Sequence, residues 1–532
     1  MRDFHQPRRS AVIARRGAVA TSHYLSSAAA LEVLKSGGNA LDAAITAAAM
    51  QGVVEPQMTG VGGDLFALIS FPDGRIEGYN ASGRAARNID PEKLRAQGLT
   101  AIPDQSGLAV TVPSGVAGWC RLLEKHGTIG IDRALAPAID IAENGYAVSP
   151  RVAFDWIDEV DKLAKFPGSR AYYLNSAGNA PAAGDVMTFP ALAKTLRAIA
   201  ENGEDGFYKG AVADDIAATV QANGGLLDLE DLASVSVDDM KPVSASYRGR
   251  EVIELPPNTQ GFIALLILRI LEGFDLASLD PLGPERFHLE MEAARLAYAV
   301  RGRHLADPQF MEATPEQLLG ESCVEALRSR IDMNRRMEAF GPLDMPGSDT
   351  VFITCVDENR MAVSLINSIF KTFGSCIATE KTGVLLQNRG AGFVLTEGHP
   401  NCIAGGKRPL HTLIPGMMKT NGRLSHSFGV MGGQYQACGH VHLITNIIDY
   451  GMDVQSAIDF PRIFMDPLGL DAKLSVERTI PQATIEGLSA RGHDWYVAHD
   501  PWGGAQAIEI NHDRGILIAG SEPRKDGCAL GY

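Results

Sequence analysis

The sequence predicts a layered α/β fold, and three observations point there. Helical patterns recur along the chain, at residues 190–202, 211–223, 261–272 and 284–305. Short strand-like runs alternate with them, at residues 65–71, 351–356 and 361–366. At 532 residues, against roughly 100–200 per domain, the chain is also long enough for two or more domains and a large core.

Taken in order, the first element is an amphipathic helix over residues 26–35. Gly37 and Gly38 stop it, because glycine accepts the left-handed backbone found at helix ends. Asn39 then reads as the N-cap of a second helix, with Asp42 in its first turn. Gly60, Gly62 and Gly63 form a tight turn ahead of the strand at 65–71. After residue 349 the pattern changes. Two strands, 351–356 and 361–366, flank the polar turn Asp357 to Arg360, so Thr350 stands at the start of a strand. The preceding stretch, residues 338–349 (EAFGPLDMPGSD), carries Gly, Pro and Asp and reads as a loop. A helix is expected over 440–450, and the tail mixes short strands and turns. No repeat of 20–50 residues and no low-complexity segment is found.

Composition excludes several classes of function. With 45% hydrophobic and 21% charged residues the chain reads as an ordinary globular protein. A formal charge of −15 disfavours nucleic acid and anionic membranes as partners. No apolar run approaches the ~20 residues of a membrane span, and the basic start has no apolar signal-peptide core. Seven scattered cysteines without a CxxC pair suit a reducing compartment, so a cytoplasmic location is expected. There is no G-x-S-x-G, no H-E-x-x-H and no P-loop. GVGGDL at 60–65 starts like a dinucleotide fingerprint, but it precedes a strand instead of following one. His440 and His442 read as polar helix residues with no acidic or cysteine cluster nearby in the sequence. No metal or organic cofactor is expected.

A resemblance covers nearly the whole chain. GGNALDAAITAAA (37–49), EPQMTGVGGDLF (55–66), LPPNTQG (255–261), EAARLAYAVRGRHLADP (292–308), DTVFITCVD (349–357), KRPLHTLIP (407–415), GVMGG (429–433) and the closing DGCALGY appear in order. Together they resemble the γ-glutamyltranspeptidase family. That resemblance implies an N-terminal-nucleophile hydrolase with a four-layer αββα core, made as a proenzyme that splits before a threonine. It further implies a large subunit, 1–349, and a small one, 350–532, intertwined in one unit. The expected partners are a small-molecule substrate and the two fragments themselves as a heterodimer, with a dimer of heterodimers left open.

The chemistry needs these residue types. A threonine hydroxyl is a weak nucleophile until a base takes its proton, and a free N-terminal amine, titrating at about 7.7–8, can be that base. Cleavage at Asp349–Thr350 would supply the amine. By the resemblance, Ser368 takes the place of a threonine that hydrogen-bonds this amine, and Gly432 and Gly433 match the oxyanion-hole glycines. The set that grips a γ-glutamyl group does not survive. The resemblance sets Phe370 where the family has an asparagine, Arg389 at a glutamine or glutamate, Gly392 at an aspartate, and His411 and Thr412 at paired serines. Tyr79 or Ser82 falls at the family's carboxylate-binding arginine, and the nearest arginine beyond is Arg84. Groups suited to an ammonium are lost and a guanidinium, able to bind a carboxylate through two parallel hydrogen bonds, is gained. The expected substrate is an amide with a carboxylate and no free amine, bound by Arg389 and Arg84. A structural ion pair at Arg389 stays an alternative. LLQNRGAGF (385–393) resembles the branch that includes oxamate amidohydrolase and glutathione-hydrolase-like proteins. The leading reading is thus a self-processing threonine amidohydrolase. The alternatives are a glutathione hydrolase or γ-glutamyltransferase with a variant pocket, and a non-catalytic binding protein on the same fold.

Overall fold

Asn39 does start the second helix. Its side chain accepts from the N–H groups of Leu41 and Asp42, and Asp42 accepts in return from the Asn39 N–H at 2.8 Å. This reciprocal cap, worth about 1 kcal/mol, begins a helix, Ala40–Val54, that is buried along its entire length. Small residues make that possible, because alanines let neighbouring elements approach from every side. The structure, a computed structural model, describes residues 8–338, 350–466, 468 and 472–532. The loop expected at 338–349 lies, apart from Glu338, outside the described residues.

Two antiparallel seven-stranded sheets form the centre. The first runs Cys528–Gly531, Ala18–Thr21, Val351–Val356, Ala362–Ser368, Asp64–Ser70, Ile76–Ala81 and Asp238–Met240. The second runs Val12–Ala14, Ile516–Ser521, Gly504–Asn511, Arg423–Met431, Gly416–Thr420, Arg250–Glu254 and Val243–Tyr247. Each sheet mixes strands from before and after residue 350.

Side-chain alternation assigns the faces. Phe66, Leu68, Phe352, Ile366, Ile253, Met417 and Ile508 fill the space between the sheets. Leu65, Ala67, Ile353, Cys355 and Leu365 point outward onto the helices Ala40–Val54 and Gly115–His126, and Ile131–Asn144 packs behind the first of these. The second sheet is covered outside by Gly261–Leu271, Gln436–Ile448 and Val454–Asp459, with Pro284–His304 packed on the first two. The layers are therefore helix, sheet, sheet, helix, the αββα sandwich that the resemblance implies.

Several boundaries shift by one or two residues, as at Tyr24–Lys35 and Asp64–Ser70, and two further differences bear on the site. The strand expected at 361–366 is Ala362–Ser368, because pairing with Asp64–Ser70 continues through Asn367↔Leu65 and Ser368↔Asp64. Polar side chains hid that extension. The helix expected at 440–450 begins at Gln436, directly after the glycine turn. Among the described residues no helix is long and apolar enough to cross a membrane.

Candidate active site

Thr350 immediately precedes the strand Val351–Val356, in phase with Phe352, so it belongs to the layer between the sheets. The pairing Val351↔Asn367 carries it beside Ser368 on the next strand, and the two hydroxyl oxygens are 3.2 Å apart. Both residues are fully buried. Asp349, on the other side of the expected scission point, lies outside the described residues.

Arg389 stands next to this hydroxyl pair. Its Nη2 is 3.4 Å from Ser368 Oγ and its Nη1 is 3.2 Å from Thr412 Oγ1. The guanidinium carbon lies 4.1 Å from the centre of the Phe370 ring, a cation–π distance. Phe370 adopts φ 83°, a left-handed conformation that is costly for a non-glycine residue. Its N–H donates to Ser368 Oγ at 3.0 Å, which helps hold the conformation. Arg389 is wholly buried, and its Nε has no hydrogen-bond partner.

Sequence reasoning missed Asp64. It is the first residue of its strand, pairs in register with Ser368, and points between the sheets. Its carboxylate accepts from Gly83 N–H at 2.9 Å, Gln387 Nε2 at 3.1 Å and His411 Nε2 at 3.2 Å, with Arg389 Nε at 3.7 Å. Burial pushes the Asp64 carboxyl up to about 7, against the pull of Arg389 and the Gly83 and Gln387 donors. Burial also lowers Arg389 to about 9, opposed by Asp64. His411 is held well below its ordinary value by burial and then by Arg389 and Arg408. Its Nδ1 accepts from Leu413 N–H at 3.4 Å, which assigns the proton to Nε2, facing Asp64. The signal available in the sequence was an aspartate opening an otherwise apolar strand, DLFALIS.

The glycine turn follows the strand Arg423–Met431 and leads into Gln436–Ile448. Gly432 has φ 115° and Gly433 φ 54°, both left-handed. A Cβ on Gly432 would meet the Gly503 Cα at 2.8 Å. Gly432→Ala is therefore expected to cost about 1–3 kcal/mol of stability, read as a lower urea midpoint; an unchanged midpoint would show that the turn relaxes freely. Gln260, also missed, ties this turn to Thr412. Its Nε2 donates to Thr412 O at 3.0 Å and Gly433 O at 3.1 Å, while its Oε1 accepts from Arg301 Nη1 at 2.5 Å. Arg301 also donates to Gln434 Oε1. No local sequence pattern announces this bracket, since its members lie on separate elements.

The structure does not gather every expected residue. Tyr79 faces the outer helices, because the pleat turns it away from its neighbour Asn80. Its hydroxyl bonds Glu77 and His126. Ser82 lies against Asn258. Arg84 is half-buried, donates to Gly406 O at 3.0 Å and pairs with Asp307 and Asp238. It lines a cleft of about 860 Å³ with Asn80, Asn258 and Arg408, and none of its recorded partners belongs to the Thr350 cluster.

His440 and His442 lie on the helix Gln436–Ile448, as expected, and each meets a carboxylate that the local sequence does not reveal. His440 Nδ1 bonds Glu254 at 2.7 Å and His442 Nδ1 bonds Glu290 at 3.0 Å, both partners coming from distant segments. Each pair is separate, as positions two apart on a helix require. His288, Glu292 and His493 have the spacing to hold a metal ion. Their atoms are already engaged, however: His288 with His493 at 2.8 Å and Glu292 with Met337 N–H at 2.6 Å. Arg336, Arg295 and Arg491 also oppose positive charge at His493.

Comparison with known proteins identifies the family. The Gamma-glutamyltranspeptidase family profile matches residues 26–532. The chain is 36% identical to the glutathione hydrolase-like YwrD proenzyme of Bacillus subtilis (strain 168), over 98% of this chain and 99% of that one. It is 34% identical to the oxamate amidohydrolase proenzyme of Klebsiella pneumoniae subsp. pneumoniae, over 98% and 100%. A cephalosporin acylase from Bacillus halodurans superposes with a TM-score of 0.93 at 36% identity, covering 100% of this chain and 99% of that one. A buried threonine beside a serine at a strand start, two left-handed glycines across the layer and a match along the whole fold lead to one conclusion: the chain belongs to the γ-glutamyltranspeptidase family and is an amide-bond hydrolase.

Proposed function

We propose that the chain cuts itself at Asp349–Thr350 and then hydrolyses a small amide that bears a carboxylate and no free amine, with oxamate as the leading candidate. The supporting observation is Arg389: a buried guanidinium beside the Thr350–Ser368 pair, touching two hydroxyls at 3.2 and 3.4 Å and keeping one N–H unpartnered. Its anionic neighbour, Asp64, stays 3.7 Å from Nε without a hydrogen bond, so a second anion at the Nη atoms would satisfy the buried charge more fully. A carboxylate brings both the charge and the fork geometry. The similarity to a relative named oxamate amidohydrolase points the same way.

In this reading the Thr350 hydroxyl attacks the Asp349 carbonyl, and water hydrolyses the resulting ester. The freed amine becomes the base that activates the same hydroxyl, and Ser368, 3.2 Å from Thr350 Oγ1, orients it. The substrate carboxylate seats on Arg389, Thr350 attacks the amide carbon, and the Gly432 and Gly433 N–H groups receive the developing oxyanion. One such donor is worth about 2.7–4 kcal/mol. Loss of ammonia or an amine leaves an acyl-threonine that water clears. Phe370 packs the guanidinium in place. His411, through Asp64, and Thr412, through its hydroxyl, fix the guanidinium's other edges. Arg84 and Tyr79 take no part. The two fragments, 1–349 and 350–532, stay together as a heterodimer because both sheets interleave their strands.

The second reading, a γ-glutamyl hydrolase, draws on the glutathione hydrolase-like relative. Assaying mature protein against oxamate and a γ-glutamyl anilide separates the two. Turnover of oxamate with little anilide cleavage is expected, and efficient cleavage of the anilide alone overturns the carboxylate-amide assignment.

A further inference from the structure

Asp64 has no step of its own in the chemistry above, yet its place is unusual. The strand it opens is buried along its whole length, and the carboxylate projects between two apolar sheet faces directly opposite Ser368. Such a group must be well supplied with donors. Oδ1 has two, Gly83 N–H and Gln387 Nε2, and Oδ2 has one, the Nε2–H of His411. The remaining neighbour is Arg389 Nε at 3.7 Å, an ion pair too long to be a hydrogen bond. Arg389 thus stands between a carboxylate it does not fully engage and the hydroxyls around Thr350. The other charged or titratable groups acting on Asp64 are Arg408 and the buried Tyr208 phenol, which stays neutral.

We propose that Asp64 is a positioning and specificity-determining residue that takes up one proton from solvent when a substrate carboxylate seats on Arg389. This rests on the reading that Arg389 binds a carboxylated amide. The carboxylate of Asp64 gains a proton and becomes the neutral acid, and no other bond changes. The guanidinium's charge, shared with Asp64 in the empty site, then belongs to the substrate. Two carboxylates on one guanidinium in a water-poor layer repel each other strongly enough that one of them stays protonated, as in other paired-carboxylate sites. Burial already holds the Asp64 carboxyl near neutrality, so the proton is available at physiological pH. A free ammonium on the substrate would find no ionised carboxylate here. The residue that helps hold Arg389 would therefore also select against amino-acid-like amides.

The sign of the pH dependence follows. Below about 7 Asp64 is largely protonated before binding, so the KM for oxamate is flat. Above it each binding event must draw a proton from solvent, so KM rises, by up to about tenfold per pH unit. In Asp64→Asn, which keeps the shape and an acceptor for Gly83 N–H, this rise in KM is expected to be absent between pH 6 and 9. The N-terminal amine titrates in both proteins and cancels in the comparison. A wild-type KM that does not rise to pH 9, or an Asp64→Asn enzyme that keeps the wild-type slope, overturns the proposal. Should the variant not fold, calorimetry of oxalate binding to the mature wild type at pH 8, in buffers of different ionisation enthalpy, gives the proton count directly. About one proton taken up supports the proposal and none overturns it. If neither oxamate is turned over nor oxalate bound, the carboxylate reading itself fails and the role of Asp64 with it. Binding without proton uptake defeats Asp64 alone.

Discussion

Thr350→Ala is expected to remain a single 532-residue chain on a denaturing gel and to hydrolyse no amide. The wild type is expected as two fragments of 349 and 183 residues, the smaller beginning with Thr350. One substitution removes two functions because one atom serves both. The hydroxyl opens the peptide bond before it, and only that opening gives it an amine as base. Removing a nucleophile from a site whose parts act as a unit costs about 10⁴–10⁶-fold in kcat, and here the zymogen also fails to mature. The change deletes only a hydroxyl and a methyl from a buried position at a strand start, so the fold should be kept. Circular dichroism matching the wild type would confirm that. Thr350→Ser keeps the hydroxyl and should still divide. N-terminal sequencing decides the matter: fragments from Thr350→Ala that part at the same bond would show that another group performs the cut.

Part of the proposed site was legible in the sequence, and the rest was hidden for physical reasons. Thr350 and the glycines at 432 and 433 are read from the family resemblance; local pattern adds only that an apolar strand starts just after a Gly- and Pro-containing segment. Helix boundaries such as Pro190–Asn202 and the Asn39 cap follow from short-range hydrogen bonding, so they are written in neighbouring residues. Asp64 and Gln260 were not legible. Asp64 matters because register brings it opposite Ser368, and Gln260 because it joins two carbonyls from segments more than 150 residues further along the chain. Tyr79 failed for a related reason. Its position in the chain is right for the site, but the period of two along a strand turns it to the wrong face. The resemblance leaves Tyr79 and Ser82 as alternatives three positions apart, and in a sheet any odd shift is the difference between the inner layer and the far side.

The same cluster sets the second large effect. Arg389→Met is expected to lower kcat/KM for oxamate by about 10²–10⁴-fold, since it forgoes two charge-assisted hydrogen bonds to the carboxylate of roughly 1.5–3 kcal/mol each. Methionine keeps an apolar stem against Phe370. Arg389→Lys keeps the charge but loses the fork, and should fall between the two. Stability carries an independent signature. In the wild type, Asp64 binds its proton more tightly folded than unfolded, so it contributes less stability as pH rises from about 4 to about 7. Arg389 is what limits that rise. Without it the Asp64 carboxyl moves higher still, and the loss extends above pH 7. The stability deficit of Arg389→Met relative to wild type should therefore be smaller at pH 6 than at pH 8, measured by urea denaturation of the mature protein. An Arg389→Met enzyme that turns over oxamate normally would reduce this arginine to a structural ion pair. A deficit equal at both pH values would show that Asp64 does not depend on it.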